Sequence, residues 1–152
     1  MSSQGVSLDV DSILAEARQR AGGVDDFGNG PFIEPLKLLL GSLQQEGRLN
    51  GLGRMIARER VLGHTANRLS YVADRKRYPD IAREEIERPV FIIGMPRTGT
   101  TILHDILAQD PDNRAPLTWE TMFPSPPPER ATFHSDPRIA RCAATFPSVE
   151  LQ

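Results

Sequence analysis

Gly94-Met95-Pro96-Arg97-Thr98-Gly99-Thr100-Thr101 gathers two glycines, a guanidinium and three hydroxyls into eight consecutive residues. A short apolar run, Val90 to Ile93, leads into this stretch, and an amphipathic run, Ile102 to Ala108, leads out of it. The order predicts a strand, a tight loop and a helix whose N-terminus faces whatever the loop holds. Uncapped backbone N–H groups and the positive end of a helix dipole make such a junction an anion site. The chemistry expected is retention of a phosphate or a sulfate-like group.

The loop invites comparison with the nucleotide-binding pattern G-x-x-x-x-G-K-[ST]. Gly94 and Gly99 keep its spacing and Thr101 supplies its terminal hydroxyl, but Thr100 stands where the lysine belongs. That lysine reaches the outer phosphates of a nucleoside triphosphate, with Mg²⁺ neutralising the remainder. A loop without it is poorly equipped for triphosphates. Arg97 instead offers a planar fork of donors suited to a multi-oxygen anion.

Around the loop, the first 88 residues are expected to be helical. Asp9 or Ser7 can cap a helix running to Arg20, with Ile13, Leu14 and Ala17 on one face and Gly22-Gly23 as its stop. A second helix is expected to begin near Pro31 and carries the stripe Ile33, Leu36, Leu39, Leu40 and Leu43, up to Gly47. Asn50 can cap a third, longer helix with Leu52, Met55, Ile56, Leu62, Ala66, Leu69 and Val72 at helical spacing, closed by Pro79. Its opposite face is basic, and is either a docking surface for an anion or a solvated face balanced by neighbouring acids. A short helix is expected over 80–87. Val90 to Ile93 has the β-branched, continuously apolar character of a strand covered on both sides. Ile102, Leu103, Ile106 and Leu107 form the apolar face of the helix that follows, leaving His104, Asp105 and Gln109 outside. A turn at Asp110–Asn113, a short helix from Trp119, a rigid Pro124–Pro128 connection and a last helix from about Asp136 to Thr145 complete the pattern.

The expected fold class is therefore α/β: a helical region over 1–88, then from 89 to 152 the start of a P-loop strand–loop–helix domain. One convincing strand cannot complete a parallel sheet. The chain is expected to be the N-terminal portion of a larger protein, or else to have its missing strands supplied by partner chains.

Composition sets outer limits. At 152 residues, 39% apolar and 25% charged, the sequence suits one soluble globular domain. A net charge of −2 lacks the basic excess usual for nucleic-acid binding. A single cysteine, Cys142, excludes an internal disulfide and fits a reducing compartment; a small semi-buried side chain is its expected role. No apolar stretch approaches the ~20 residues needed to span a bilayer, and no secretory signal is visible, so a cytoplasmic location is expected.

The octapeptide resembles the 5′-phosphosulfate-binding loop of sulfotransferases that use 3′-phosphoadenosine 5′-phosphosulfate (PAPS), which in many members reads as a proline, a basic residue, Ser or Thr, then Gly-Thr-Thr. Leu117-Thr118-Trp119-Glu120 and the helical N-terminal region resemble the bacterial, especially actinobacterial, branch. The resemblance implies transfer of a sulfuryl group from PAPS to a hydroxyl or amine of a small-molecule, lipid or glycan acceptor, without a metal. Arg97, where many members carry lysine, would stabilise charge on the bridging oxygen; as a permanently protonated group it would act by charge and hydrogen bonding only. Thr98, Gly99, Thr100 and Thr101 would hold the 5′-phosphate. Glu120 is the first candidate for the general base and His104 the weaker one. In the family the 3′-phosphate is bound by an arginine and a serine on a later strand and helix; Arg138 and Ser148 have that order here but no strand before them. His64 and His134 have no supporting context, and Trp119 suits packing or an aromatic wall for an acceptor. Two other functions are open to the residues: a P-loop nucleotide kinase or NTPase, which would need a later carboxylate-bearing strand, and a non-catalytic helical interaction module with a vestigial loop.

Overall fold

A computed structural model describes residues 6–95 and 97–145. They form two compact units, one containing the described residues up to Pro79 together with Ser125–Pro127, the other containing Asp80–Pro124 and the residues from Pro128 onward.

The first unit is built from three helices, α1 (Val10–Arg20), α2 (Ile33–Gln45) and α3 (Gly51–Arg77). Asp9 caps α1 by accepting the Ser12 N–H at 2.9 Å, while the Ser7 hydroxyl accepts the N–H of Asp9. The helix ends where expected, because Gly22 and Gly23 take φ of +72° and +87° and turn the chain. α2 starts two residues later than expected. Phe32 precedes its first turn, and Pro35 rather than Pro31 occupies that turn, where a missing N–H costs nothing. Asn50 caps α3 through the Gly53 N–H at 2.8 Å, and the helix runs to Arg77 before Tyr78 and Pro79 end it.

Apolar spacing chose the packed faces well at one end of α3 and poorly at the other. Ile13, Leu14 and Ala17 of α1, Leu36 and Leu40 of α2, and Leu62 and Leu69 of α3 are all buried in one core, joined by Leu8. Val61 and Thr65, absent from the expected stripe, are buried as well. Leu52, Met55 and Ile56 are exposed, so the first turns of α3 lie outside the core. Thr65 is tolerated in that core because its hydroxyl donates back to the Val61 carbonyl at 2.7 Å.

Several arginines of the basic face point inward and bind this unit together. Arg58 donates to the Ser7 carbonyl, the Ser12 hydroxyl and Glu16. Arg20 forks onto Glu59 with two 2.9 Å contacts and reaches Glu16. These ion pairs hold the Glu16 and Glu59 carboxyls below their ordinary range, chiefly through the guanidinium hydrogen bonds. Solvated balance by acids therefore describes only part of this face.

A 3₁₀ turn, Pro79–Arg83, replaces most of the helix expected over 80–87. Residues 84–95 carry no regular structure. The strand expected at Val90 to Ile93 is not formed among the described residues, for a physical reason: a strand exists only as part of a hydrogen-bonded ladder, and no described residue pairs with it. Val90, Phe91 and Ile93 are 73%, 80% and 93% exposed. The apolar face of α4 (Thr100–Ala108), with Ile102, Leu103, Ile106 and Leu107, is uncovered too. α5 (Thr118–Met122) and α6 (Pro137–Thr145) pack on each other, burying Trp119 and Cys142. α5 opens one residue earlier than expected, with Leu117 at its cap and Thr118 inside the first turn. Among the described residues no helix is long and apolar enough to cross a membrane.

Leu62 is fully buried at the centre of the first core. Leu62→Ala is expected to lower unfolding free energy by about 2–5 kcal/mol, the range for emptying a packed leucine site. Urea titration of helical circular dichroism measures this, and a change below about 1 kcal/mol would contradict the packing described.

Candidate active site

The loop from Gly94 to Thr101 closes on itself. A Cβ at Gly94 would lie 2.7 Å from the Thr100 methyl carbon and 2.8 Å from the Thr98 hydroxyl oxygen, so a side chain there would have to displace both threonine side chains. The Thr98 hydroxyl donates to the Met95 carbonyl at 2.7 Å and ties the two sides of the turn. Gly99 adopts φ +85° at the cap of α4, and its carbonyl accepts the Leu103 N–H at 3.1 Å. Glycine at that cap brings no side-chain acceptor, so the first-turn N–H groups of α4 have no side-chain cap. Thr100 and Thr101 open the helix beside them.

Arg97 sits in the turn at φ +67°, a left-handed conformation disfavoured for a side chain with a Cβ. Its guanidinium is exposed and has no hydrogen-bond or ion-pair partner among the described residues. The loop thus offers uncapped N–H groups, three hydroxyls and one uncommitted cation within a single turn of chain. The donor set fits an oxyanion, and Gly94 leaves no room for a side chain to fill the turn instead.

The other expected site residues are placed less simply. Glu120 is committed twice. One carboxylate oxygen accepts the Leu117 N–H at 2.8 Å, closing the N-terminus of α5, and the other pairs with Arg114 at 2.5 Å. Only 9% of its side chain is exposed. The Leu117-to-Glu120 spacing is that of a helix cap and its third residue, a sequence signal for this contact, though Leu117 has no acceptor to return it. His104 is exposed on α4 with Nδ1 3.3 Å from the Asp105 carboxylate. His64 and His134 are exposed.

Arg138 is part of the interior of the second unit. Its Nε and Nη2 donate to Asp136 at 2.8 and 2.6 Å, Nη1 donates to the Phe123 carbonyl at 2.9 Å, and the guanidinium lies 4.7 Å from the Trp119 ring centre. It clamps α6 to α5 and is not presented to a ligand. Ser148 lies outside the described residues. Trp119 is a packing residue, 5.3 Å from Phe133 between ring centres. Cys142 is buried, its thiol 3.6 Å from the Met122 sulfur. No group of three His, Cys, Asp or Glu side chains suited to a metal occurs among the described residues.

Residues 89–149, a span that opens with the apolar run and includes this loop, match the sulfotransferase family. The matched segment, 89–149, belongs to the sulfotransferase family. The whole chain is similar over 91% of its length to the crystal structure of sulfotransferase STF1 from Mycobacterium tuberculosis H37Rv, with 35% identity and a TM-score of 0.80. It is similar over 97% of its length to sulfotransferase STF9 from Mycobacterium avium, with 27% identity and a TM-score of 0.78. In both cases it spans 38% of the neighbour's chain. Comparison with curated protein sequences gave no match. The likeness includes the helical first unit, which the family match over 89–149 does not reach.

The Arg138 clamp makes a prediction about acid. The Arg138 hydrogen bonds push the Asp136 carboxyl down to about 2 from 3.8. A depressed carboxyl stabilises the fold above its unfolded value, and that contribution is lost as pH falls from about 4 through about 2. Thermal unfolding between pH 5 and pH 2 should show this loss. Asp136→Asn should be less stable at neutral pH and lose less on acidification, and parallel pH curves for the two proteins would refute the clamp.

Proposed function

We propose that this chain supplies the phosphosulfate-binding part of an enzyme that moves a sulfuryl group from PAPS to a hydroxyl or amine. The supporting observation is the self-closed loop carrying Arg97, three hydroxyls and uncapped N–H groups, with Thr100 where a triphosphate site needs lysine. When bound, the donor brings an activated sulfuryl group joined to its 5′-phosphate. Backbone N–H groups of Thr98 to Thr101 and the hydroxyls of Thr100 and Thr101 hold the 5′-phosphate. Arg97 would be the cation for the bridging oxygen, where negative charge grows as the bond to sulfur breaks, and would stabilise that charge more than the ground state. It stays protonated throughout.

Removing the acceptor proton falls to Glu120, with His104 as the second candidate. Glu120 would have to release Arg114 while keeping the Leu117 N–H, which leaves one oxygen for the acceptor. The acceptor is a small-molecule, lipid or glycan hydroxyl or amine, and the reaction needs no metal. Val90 to Ile93 is the central parallel strand of the P-loop domain that begins at residue 89, flanked by strands from the part of the fold that this chain does not span. The single cysteine fits a cytoplasmic setting.

Calorimetry tests the donor site. Adenosine 3′,5′-bisphosphate should bind more tightly than ATP, without Mg²⁺, and Arg97→Ala should weaken it about 10–100-fold, the value of one charged hydrogen-bond contact. Strict Mg²⁺ dependence with preference for ATP would replace the reading by a nucleotide-triphosphate site. For the base, Glu120→Gln keeps an acceptor for Leu117. Assayed in an active enzyme containing this chain, it should reduce turnover at least about 100-fold with bisphosphate affinity unchanged; full turnover would move the role to His104.

A further inference from the structure

A second polar cleft lies within the helical unit, between residues 26–30 and the last turns of α3, with a volume of about 530 Å³. Its floor is a loop pressed against the helix. A Cβ at Gly28, where φ is +75°, would lie 3.0 Å from Val72, and one at Gly30 would lie 3.1 Å from the Arg68 guanidinium. Side chains at either position would fill the hollow.

Its wall holds three cations against one carboxylate. Asp26 is already committed: one oxygen accepts the Gly28 N–H at 2.7 Å and the other pairs with Lys76. That pairing holds its carboxyl below the ordinary range, chiefly through the Lys76 hydrogen bond. Arg68 is fixed by neutral groups only. Its Nε and Nη2 donate to the Phe27 and Gly30 carbonyls at 2.8 and 3.2 Å, and its guanidinium stacks 4.4 Å from the Phe32 ring centre. Arg75, two helical turns on, donates to the Tyr71 hydroxyl at 2.7 Å and lies against that ring. Neither arginine has an acidic partner among the described residues. An orientation held by carbonyls and rings leaves the guanidinium charge uncancelled and its plane preset, the arrangement in which arginine receives an oxyanion.

We propose that this cleft binds a small ligand through an oxyanion, a phosphate monoester or a carboxylate, between Arg68 and Arg75 with the body of the ligand against Tyr71. Its residues are distinct from the 94–101 loop, and its occupancy does not depend on what that loop binds.

Amide NMR on the whole chain tests it, in an Arg97→Ala background so that the loop contributes less anion binding. Glucose 6-phosphate and glucuronate separate the two anion types, and glucose is the neutral probe. Saturable shifts at Gly28, Asn29 and Gly30 with either anion, and none with glucose, are expected. The tighter of the two identifies the anion. Arg75→Gln should weaken binding about tenfold, and raising ionic strength from about 0.02 to 0.5 M should weaken it several-fold. Lys76→Gln, which leaves the Asp26 carboxylate uncancelled in the cleft, should weaken it too and serves if Arg75→Gln fails to fold. Shifts that do not saturate, that persist unchanged in both variants, or that glucose reproduces would overturn the proposal.

Discussion

The absence of a side chain at Gly94 is the constraint from which the loop follows. With the Thr100 methyl and Thr98 hydroxyl within 2.8 Å of where a Cβ would stand, a side chain at this position would push both threonines out of their places in the turn. Closure sets Thr98 against the Met95 carbonyl, delivers the chain to Gly99 in the left-handed region, and starts α4 without a capping side chain. Glycine at that cap leaves the first N–H groups of the helix without a side-chain acceptor. Arg97 is held at positive φ by the same turn. A non-glycine residue there costs on the order of 1 kcal/mol or more, and such strain persists only where the surroundings fix it.

The segment carrying this loop is apolar where water meets it. Val90, Phe91, Ile93 and Met95 precede the turn, and Ile102, Leu103 and Ile106 follow it, all exposed. Burying side chains of this kind is worth about 1.5–3 kcal/mol each, so a cover over this face would be strongly favoured. Sheets in α/β folds provide such cover on both sides of a strand. The two mycobacterial neighbours extend well beyond the length this chain matches. Their extra length and the exposed face together support the assignment of Val90 to Ile93 as an inner strand. A loop at the carboxyl end of such a strand would lie where α/β proteins bind ligands.

Helix ends were legible in the sequence because their causes are local. Asp9, Asn50, Gly22-Gly23 and Pro79 each act within a turn of chain, and each stands at the boundary expected of it. The tight turn before α4 was legible for the same reason. Core membership was legible only in part: Ile13, Leu62 and Leu69 follow the 3.6-residue period, but which end of α3 is covered depends on where α1 lies, and Leu52, Met55 and Ile56 read alike whether covered or not. The strand was least legible as structure. Its residues announce a preference, while the ladder that would realise it requires a partner strand. Arginine roles were hidden too, since Arg58, Arg68 and Arg138 look like surface charges until their distant carbonyl and carboxylate partners are known.

That sorting of arginines gives the loop assignment its physical weight. Arg58 and Arg138 are spent on structure: each bridges segments remote in sequence, and their hydrogen bonds depress the pKa of Glu16 and Asp136. A guanidinium so engaged cannot approach a new anion without giving up contacts made to a desolvated partner, a loss larger than most exposed contacts return. Arg97 carries no such debt among the described residues. It is exposed, next to uncapped N–H groups, and held in a turn that packs the Thr98 and Thr100 side chains against Gly94. An oxyanion arriving there would meet backbone N–H groups whose directions the helix already sets. Under these conditions electrostatic stabilisation of a developing charge is largest. The distinction between Arg97 and Arg138 therefore rests on commitment, which geometry reveals and residue type conceals.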